Sequence, residues 1–252
     1  MFSDAELSED KFLCGKLTLW QPRKGYRAAT DPVLLAAACP AEPGQSVLDL
    51  GCGAGAAALC LGHRVPGLSL SGLELQPAYA DLARRNATRN HIALEVVEGD
   101  LTRMPSDLQR EFDHVIANPP YYAAGSTASP VKSRAVAMQV DTPLGVWVEA
   151  ASRRLRPGGW LTVIVGAGGL PQVLAALAHK LGSASVLPLA PRDGRPALRV
   201  LLRARKGGRA AFRLLAPLVI HAGAAHDGDR ESYTPAANAV LRDGTDLLAL
   251  FR

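Results

Sequence analysis

The stretch Asn118-Pro119-Pro120-Tyr121 carries the residues best suited to chemistry in this sequence. It follows an apolar run that is typical of a buried strand, and the prolines end that strand because proline has a fixed φ and no backbone N–H. The Asn118 side-chain oxygen and the Pro119 carbonyl are two rigidly held hydrogen-bond acceptors. Bound to the two N–H groups of a planar amine, they would favour a pyramidal nitrogen and free its lone pair for attack on an electrophile.

The two tyrosines that follow are the predicted substrate contacts of this corner. Tyr121 offers a flat face on which an extruded base can stack, and Tyr122 stands beside it. Such a reaction needs no titrating base, so the lack of a nearby His-Asp pair is no objection. The plainer alternative is a simple turn followed by a core aromatic residue.

The elements around this corner predict an α/β fold. From Ser46 onward, short apolar runs alternate with segments of helical period, which predicts a doubly wound, mostly parallel seven-stranded sheet with an antiparallel edge strand. Strands are expected at 46–50, 68–75, 92–100, 112–118, 160–165, 185–189 and 198–204. Helices are expected at 27–38, at 54–64, from Pro77 onward and at 170–181, with a turn at 156–159. Ligands of such sheets bind beyond the carboxyl ends of the strands, where Asn118 is expected.

This alternation also suggests how the chain is organised. We expect a catalytic domain at 41–205, preceded by a segment, 1–40, that packs on it. Residues 206–252 are expected to form a C-terminal extension of the same domain.

A glycine-rich turn, Gly51-Cys52-Gly53-Ala54-Gly55, follows the first of these strands and opens a helix. Glycines there let a ligand approach the backbone closely. The same turn satisfies the loose dinucleotide fingerprint. Asp49 argues against a dinucleotide, because its carboxylate would crowd an anionic pyrophosphate. A cationic or zwitterionic ligand such as S-adenosylmethionine suits it better.

With an acid before this turn and acids at two further strand ends, the chain resembles the class I S-adenosylmethionine-dependent methyltransferases, which have a Rossmann-like fold. The resemblance implies that Asp49 and the glycines Gly51, Gly53 and Gly55 lie against the methionine part of the cofactor. It further implies that Glu74 binds the ribose hydroxyls, that Asp100 lies near the adenine amine and that Asn118 contacts the cofactor as well as the substrate. The Asn-Pro-Pro-Tyr corner is similar to the motif of amino-methyltransferases that act on adenine N6, guanine N2 or protein glutamine.

The wider match is to the bacterial family that methylates N6 of the adenine next to the anticodon, position 37, in a valine tRNA. This resemblance implies a tRNA substrate and spans nearly the whole chain. It is carried by "TD…LL" before the sheet, by "NPPYY" at 118–122 and by a later "YT…A". The residues of the first and last motifs are Thr30, Asp31, Leu34, Leu35, Tyr233, Thr234 and Ala236.

Three other functions remain open from the sequence. Protein glutamine methyltransferases share the corner but have a sizeable N-terminal helical domain, whereas only a short segment precedes Ser46 here. DNA adenine methyltransferases must flip a base from a duplex and usually carry a recognition domain, for which too few residues follow residue 205. The third is an RNA-binding module with an inactive methyltransferase fold, against which the intact motif residues argue.

Positive charge is concentrated in one segment of the chain. Residues 192–213 hold eight basic residues and one acid, a local charge of +7 in a chain of net charge +5. We expect this segment to contact the tRNA backbone through Arg199, Arg203, Arg205 and Arg209, with the first three on one open strand face. The alternatives are that these arginines protect a sheet edge, or that RNA binds the N-terminal cations Lys16, Arg23, Lys24 and Arg27.

Composition limits the remaining possibilities. The chain is 48% hydrophobic and 20% charged, and its apolar runs are far shorter than a membrane span. The acidic N-terminal residues are unlike the basic start of a signal peptide, so we expect a cytoplasmic protein. The four cysteines form no C-x-x-C pair, which predicts reduced thiols and no metal site. A monomer is expected.

Overall fold

The elements of the fold are taken from a computed structural model, which describes residues 1–120, 142–177, 180–223 and 232–252. The strands are β1 Leu7–Phe12, β2 Leu17–Pro22, β3 Ser46–Leu50, β4 Ser69–Glu74, β5 Leu94–Glu98, β6 Phe112–Ala117, β7 Leu155–Gly166, β8 Leu181–Ala190, β9 Arg199–Lys206, β10 Arg213–Leu214 and β11 Leu218–Val219. The α-helices are α1 Asp31–Ala38, α2 Ala56–Arg64, α3 Pro77–Arg89, α4 Leu144–Arg154, α5 Leu170–Leu177 and α6 Pro235–Asn238, the last continuing as a π-helical turn, Ala239–Asp243. Short 3-10 turns lie at Asp4–Glu6, Leu13–Gly15, Leu101–Arg103, Ser106–Leu108, Ala167–Gly169 and Leu248–Phe251.

The main sheet has the strand order β10-β8-β9-β7-β6-β3-β4-β5, with β11 also paired to β8. Neighbouring strands are parallel, except that β9 runs antiparallel to both β7 and β8. The predicted α/β sheet of seven long strands, β3 to β9, is therefore confirmed. The antiparallel strand lies one place in from β8 rather than at the edge itself. The two-residue strands β10 and β11 bring the sheet to nine strands in the described part of the chain.

Boundaries of the predicted elements agree with the structure to within a few residues. The main difference is at 156–159, where a turn was expected. These residues belong to β7, which starts at Leu155. The pairing register between β6 and β7 shifts between Phe112 and His114, so residues 156–159 form a bulge in β7. Gly158 accommodates this bulge with a φ of +79°.

The two faces of the sheet bury separate apolar clusters. One cluster joins α1 and α2 to the sheet and also contains Leu13, Leu17, Leu247 and Phe251 from the N- and C-terminal segments. The other joins α4 and α5 to the opposite face. Each strand can serve both clusters because successive side chains point to opposite faces. No helix in the described ranges is long and apolar enough to cross a bilayer.

The N-terminal segment contains an antiparallel hairpin, β1–β2, that the sequence analysis did not predict. Strand β1 reads LSEDKF, a charge-rich run with few apolar residues. Two arginines of α3, Arg85 and Arg89, lie over the Trp20 ring of β2, each 4.7 Å from its centroid. The hairpin is therefore attached to α3 and is separate from the main sheet.

The central link between hairpin and helix is the fully buried side chain of Asn86 in α3. Its oxygen accepts a hydrogen bond from the Trp20 N–H at 2.8 Å. Its amide nitrogen donates to the Trp20 carbonyl and to the Ala54 carbonyl, each at 3.0 Å. One side chain thus joins β2, α3 and the glycine turn.

Replacing Asn86 with alanine should lower the free energy of unfolding by about 2–4 kcal/mol, because buried backbone groups of Trp20 and Ala54 lose their partners. Urea unfolding followed by circular dichroism measures this. Asn90→Ala is the matched control. Asn90 bonds Thr18 of the same strand but is only half-buried, so water can replace its bonds and the loss should be smaller. Equal losses for the two variants would contradict the central role of Asn86.

Candidate active site

The carboxyl ends of three neighbouring strands place the predicted site residues in one row. Leu50 of β3 lies opposite Leu73 of β4 on one side and opposite Ala117 of β6 on the other. The residues that come next in the chain lie at the same level: Gly51, Glu74 and Asn118. Because neighbouring strands are about 4.8 Å apart, the backbone of the glycine turn lies between the two polar side chains at close range.

The glycine turn has a backbone that requires its glycines. Gly51, Gly53 and Gly55 have φ values of +68°, +56° and +87°, which a residue with a Cβ rarely adopts. Among the described residues, a Cβ on Gly53 would meet only the Tyr26 ring, at 3.9 Å. The turn therefore presents an open backbone surface just before α2 begins at Ala56.

Glu74, at the end of β4, is buried and bonds this turn directly. One carboxylate oxygen accepts the Gly53 N–H at 2.9 Å, and the other accepts the Gln76 N–H at 2.8 Å. These bonds fix the carboxylate against the face of the turn. A carboxylate held in this way can accept further hydrogen bonds from ligand hydroxyl groups.

Asp49, one residue before the end of β3, lies behind the turn. It is 2% exposed, and its carboxylate accepts a hydrogen bond from the Ala58 N–H of α2 at 3.3 Å. Burial raises the pKa of Asp49 to about 8, and the nearby charge of Glu74 adds to this increase. The described contacts of Asp49 hold the first turn of α2, and its contact with a cofactor stays a prediction.

Asp100 lies two residues beyond Glu98, which pairs with Glu74, so β5 extends the row of strand ends. The Asp100 carboxylate accepts a hydrogen bond from the Thr102 N–H at 2.8 Å and caps a short 3-10 turn. A narrow recess beside the glycine turn brings Asp100 and Gly51 together; its lining also includes Leu73, Leu75, Gly99, Leu101, Thr142 and Trp147.

Asn118 follows β6 and has a partner that the sequence analysis missed. Its amide nitrogen donates to the Tyr26 hydroxyl at 3.2 Å. This bond turns the amide nitrogen toward Tyr26, and no hydrogen bond joins the Asn118 oxygen to another described residue. No local pattern signals the contact, because the two residues are 92 positions apart.

The rest of the corner is only partly described. Pro119 is buried directly after Asn118, which agrees with a rigid end to β6, and the acceptor role of its carbonyl stays a prediction. The predicted stacking residues Tyr121 and Tyr122 lie outside the described residues.

The arginines of segment 192–213 do not emerge together from one open face. Arg203 is 8% exposed, and its guanidinium lies 4.8 Å from the Trp160 ring centroid and 4.6 Å from that of Phe251. Burial lowers the pKa of Arg203 to about 10. The expectation that Arg203 lies open beside Arg199 and Arg205 is wrong, because Phe251 covers this face of β9.

Arg199 alone of the four predicted RNA contacts lies at the edge of the sheet where Asn118 lies. It is the first residue of β9, opposite Gly166 at the end of β7. Its Nε lies 2.8 Å from a carboxylate oxygen of Asp31, at the start of α1. Part of its charge is therefore already balanced within the protein.

Arg205 and Arg209 lie toward the opposite edge. Arg205 of β9 lies opposite Trp160 of β7. Trp160 comes four residues before the level of Asn118 along β7, so Arg205 and Asn118 are about 13 Å apart along the strand direction. Arg209 follows the end of β9 beyond it, and both side chains are exposed. Contact of these two arginines with RNA stays a prediction, but it would lie away from the reacting groups.

In the described ranges, no group of three or more His, Cys, Asp or Glu side chains is arranged to hold a metal ion. The four cysteines are free thiols, and three of them, Cys39, Cys52 and Cys60, are buried.

Comparison with known proteins identifies the family to which the chain belongs. The methyltransferase small domain family matches residues 29–187, which is more than half of the chain. The chain belongs to this family. S-adenosylmethionine is its cofactor, and the expected resemblance to class I S-adenosylmethionine-dependent methyltransferases is confirmed.

Two similar relatives carry the same name, tRNA1(Val) (adenine(37)-N6)-methyltransferase. One, from Dickeya chrysanthemi, is 28% identical over 229 residues, with 88% of each chain covered. The other, from Shewanella halifaxensis, is 32% identical over 180 residues, covering 67% of this chain and 72% of the relative.

Solved structures agree with the fold. A protein from Agrobacterium tumefaciens described as a predicted O-methyltransferase matches with a TM-score of 0.69 and 28% identity, covering 86% of this methyltransferase and 97% of that chain. The 16S rRNA N2 G1207 methyltransferase of Thermus thermophilus, solved with AdoMet and guanosine, matches with a TM-score of 0.55 and 20% identity. The match covers 79% of this chain and 50% of the Thermus thermophilus chain. At this identity it shows only that the two proteins share a fold.

The residues present fit S-adenosylmethionine. The open backbone surface at Gly53 can receive a ligand, and the buried Glu74 carboxylate beside it is suited to ribose hydroxyls. The recess that Gly51 and Asp100 share lies next to them. The roles that the sequence resemblance implied for the turn, for Glu74 and for Asp100 stay predictions.

Replacing Glu74 with alanine should weaken S-adenosylmethionine binding by roughly 1–3 kcal/mol, because the ribose loses charge-assisted hydrogen bonds and the Gly53 N–H loses its partner. Isothermal titration calorimetry measures the affinity. Glu98→Ala, at an exposed position opposite Glu74 on β5, is the control and should bind like the parent. Parental affinity in Glu74→Ala would exclude the proposed ribose contact.

The ligand-free protein should lose stability as pH rises toward 8, in part because of Asp49. Its folded-state pKa of about 8 lies above the usual aspartate value, so this stabilisation is complete below about pH 4 and is lost as pH rises through 8. One proton corresponds to a slope of at most about 1.4 kcal/mol per pH unit.

Asp49→Asn tests this, because asparagine keeps an acceptor for the Ala58 N–H but does not titrate. Its free energy of unfolding, measured in urea at pH 5, 7 and 8.5, should fall less steeply than that of the parent. Parallel pH profiles would show that Asp49 titrates normally.

Proposed function

We propose that this methyltransferase transfers the methyl group of S-adenosylmethionine to N6 of an adenine in tRNA. The adenine next to the anticodon, position 37 of a valine tRNA, is the proposed target. The relatives from Dickeya chrysanthemi and Shewanella halifaxensis are named for that reaction, which supports the assignment.

The observation that carries the proposal is the position of Asn118 level with the glycine turn and with Glu74. The backbone of Asn118, followed by a rigid proline, thus lies within one strand spacing of the glycine turn, which is the proposed cofactor surface. The amide nitrogen of Asn118 donates a hydrogen bond to the Tyr26 hydroxyl, which leaves the Asn118 side-chain oxygen to bind the substrate amine. An enzyme that methylates a weakly nucleophilic amino group requires such an acceptor beside the methyl donor.

In the proposed mechanism the protein makes the adenine amine more reactive. The exocyclic nitrogen is a poor nucleophile, because its lone pair is delocalised into the purine ring. The Asn118 side-chain oxygen and the Pro119 carbonyl accept hydrogen bonds from its two N–H groups and favour the pyramidal geometry of the transition state. S-adenosylmethionine, held by the glycine turn and Glu74, would supply an electrophilic methyl group. The amine nitrogen would gain this methyl as the sulfonium becomes a neutral thioether, and it would lose one N–H proton to solvent.

RNA suits this compact enzyme better than duplex DNA. A base in an RNA loop is already partly unstacked, so bringing it to the corner costs less than flipping it from a duplex. Tyr121 and Tyr122 are the proposed aromatic contacts of the extruded adenine.

The direct test is nucleoside mass spectrometry of total tRNA from cells with and without the gene. Loss of N6-methyladenosine from tRNA in the deletion, and its return when purified enzyme and S-adenosylmethionine are added, is the expected result. Unchanged tRNA together with an undermethylated release factor would instead indicate a glutamine methyltransferase. Sequencing of the modified tRNA then tests the valine tRNA and position 37.

Asn118→Ala should reduce turnover about a hundredfold or more, because a preorganised hydrogen-bond acceptor is removed from the transition state. Cofactor affinity should change much less. Single-turnover methylation of unmodified tRNA measures the rate, and calorimetry measures S-adenosylmethionine affinity. Asn118→Asp keeps an acceptor oxygen at this position and should lose less activity. An alanine variant with near-parental turnover would remove Asn118 from the mechanism.

A further inference from the structure

A short exposed loop joins the N-terminal hairpin to the catalytic corner. It consists of Arg23, Lys24, Gly25 and Tyr26, directly after β2, and all four residues are exposed. Tyr26 is 55% exposed, although its hydroxyl contacts Asn118. Residues 23–26 follow the hairpin rather than connect its two strands; we refer to them as the hairpin loop.

The backbone of the hairpin loop is held on both sides. The Arg23 N–H donates to the Glu6 carbonyl at 2.8 Å, and the Tyr79 hydroxyl of α3 donates to the Tyr26 carbonyl at 3.0 Å. Gly25 has a φ of +112°, and a Cβ there would lie 3.0 Å from the Tyr79 hydroxyl. Glycine thus allows a close approach to α3.

A second pair of bonds closes the base of the loop. The Gln21 side chain accepts the Ala28 N–H at 2.6 Å and donates to the Ala28 carbonyl at 3.0 Å. A loop held in this way is largely preorganised, so a bound ligand has little backbone to order.

The hairpin loop carries two cations beside the reacting groups. Consecutive Cα atoms are 3.8 Å apart, so the Cα atoms of Arg23 and Lys24 lie within roughly 11 and 8 Å of that of Tyr26. Tyr26 itself contacts Asn118 and lies against Gly53. The hairpin loop therefore borders the corner that a target base would enter.

Other cations near this corner are already used within the protein. Arg27 pairs with Asp10 at 2.5 Å, and Arg199 pairs with Asp31. Among the described residues, the side chains of Arg23 and Lys24 make no hydrogen bond or ion pair.

We infer that the hairpin loop is an RNA-binding element of the active site, in which Arg23 and Lys24 bind phosphates next to the target nucleotide. The inference rests on the proposed function, because it takes RNA as the substrate. It differs from the main sequence-based expectation, which assigned RNA contact to Arg199, Arg203, Arg205 and Arg209, and it keeps two of the four N-terminal cations that were the alternative. The hairpin loop combines exposure, unbalanced charge and contact with Asn118, a combination that none of those four arginines has.

The test compares two double variants that remove the same charge from different places. Arg23→Gln with Lys24→Gln changes the hairpin loop, and Arg205→Gln with Arg209→Gln changes the far edge of the sheet. Binding of an unmodified valine tRNA transcript is measured from 50 to 300 mM KCl, together with S-adenosylmethionine affinity and thermal unfolding as checks on folding. Each lost phosphate contact should reduce the slope of log affinity against log salt by about 0.7 to 0.9.

The hairpin-loop variant should bind tRNA more weakly and show a slope lower by about 1.4 to 1.8, with parental cofactor affinity. The far-edge variant should lose less affinity at every salt concentration. Parental tRNA binding by the hairpin-loop variant would overturn the inference, as would an equal or larger loss in the far-edge variant. If the parent enzyme neither binds nor methylates tRNA, the proposed function fails along with the inference. If the parent does both while the hairpin-loop variant is unchanged, only the inference fails.

Discussion

The active site depends on the register of three parallel strands. Leu50 pairs with Leu73 on one side and with Ala117 on the other, so the chain leaves β3, β4 and β6 at the same height. A shift of one residue in either pairing would move Glu74 or Asn118 by about 3.3 Å along its strand and turn its side chain to the other face. The apolar clusters on both faces oppose such a shift, because it would expose one set of buried side chains.

Two supports outside this row orient its polar groups. From the sheet side, Glu74 bonds the glycine turn through the Gly53 N–H. From the N-terminal side, Asn86 attaches the hairpin to α3, and the hairpin in turn brings Tyr26 to Asn118. The glycine turn is thus shaped by residues close in the sheet, whereas the Asn118 amide is oriented by a segment from far earlier in the chain.

The parts of the fold that could be predicted from the sequence are those with a local signal. The strands around the glycine turn, the turn itself and the proline-ended β6 all follow from short patterns such as apolar runs, glycines and prolines. The β1–β2 hairpin was missed because LSEDKF has too few apolar residues to indicate a strand. Burial of Arg203 and the partner of Asn118 could not be predicted, because Phe251 and Tyr26 reach them from distant parts of the chain.

The chemical nature of the Asn86 link has a consequence for behaviour in salt. Around it, Arg85 pairs with Asp4 and Arg89 with Glu9 at the surface, and such pairs are screened by dissolved ions. The Asn86 amide is neutral and buried, so its bonds are not screened. Rising ionic strength therefore weakens the surface ion pairs between the N-terminal segment and α3 while leaving the Asn86 bonds intact. At high salt the hairpin is held on α3 mainly by hydrogen bonds between uncharged groups.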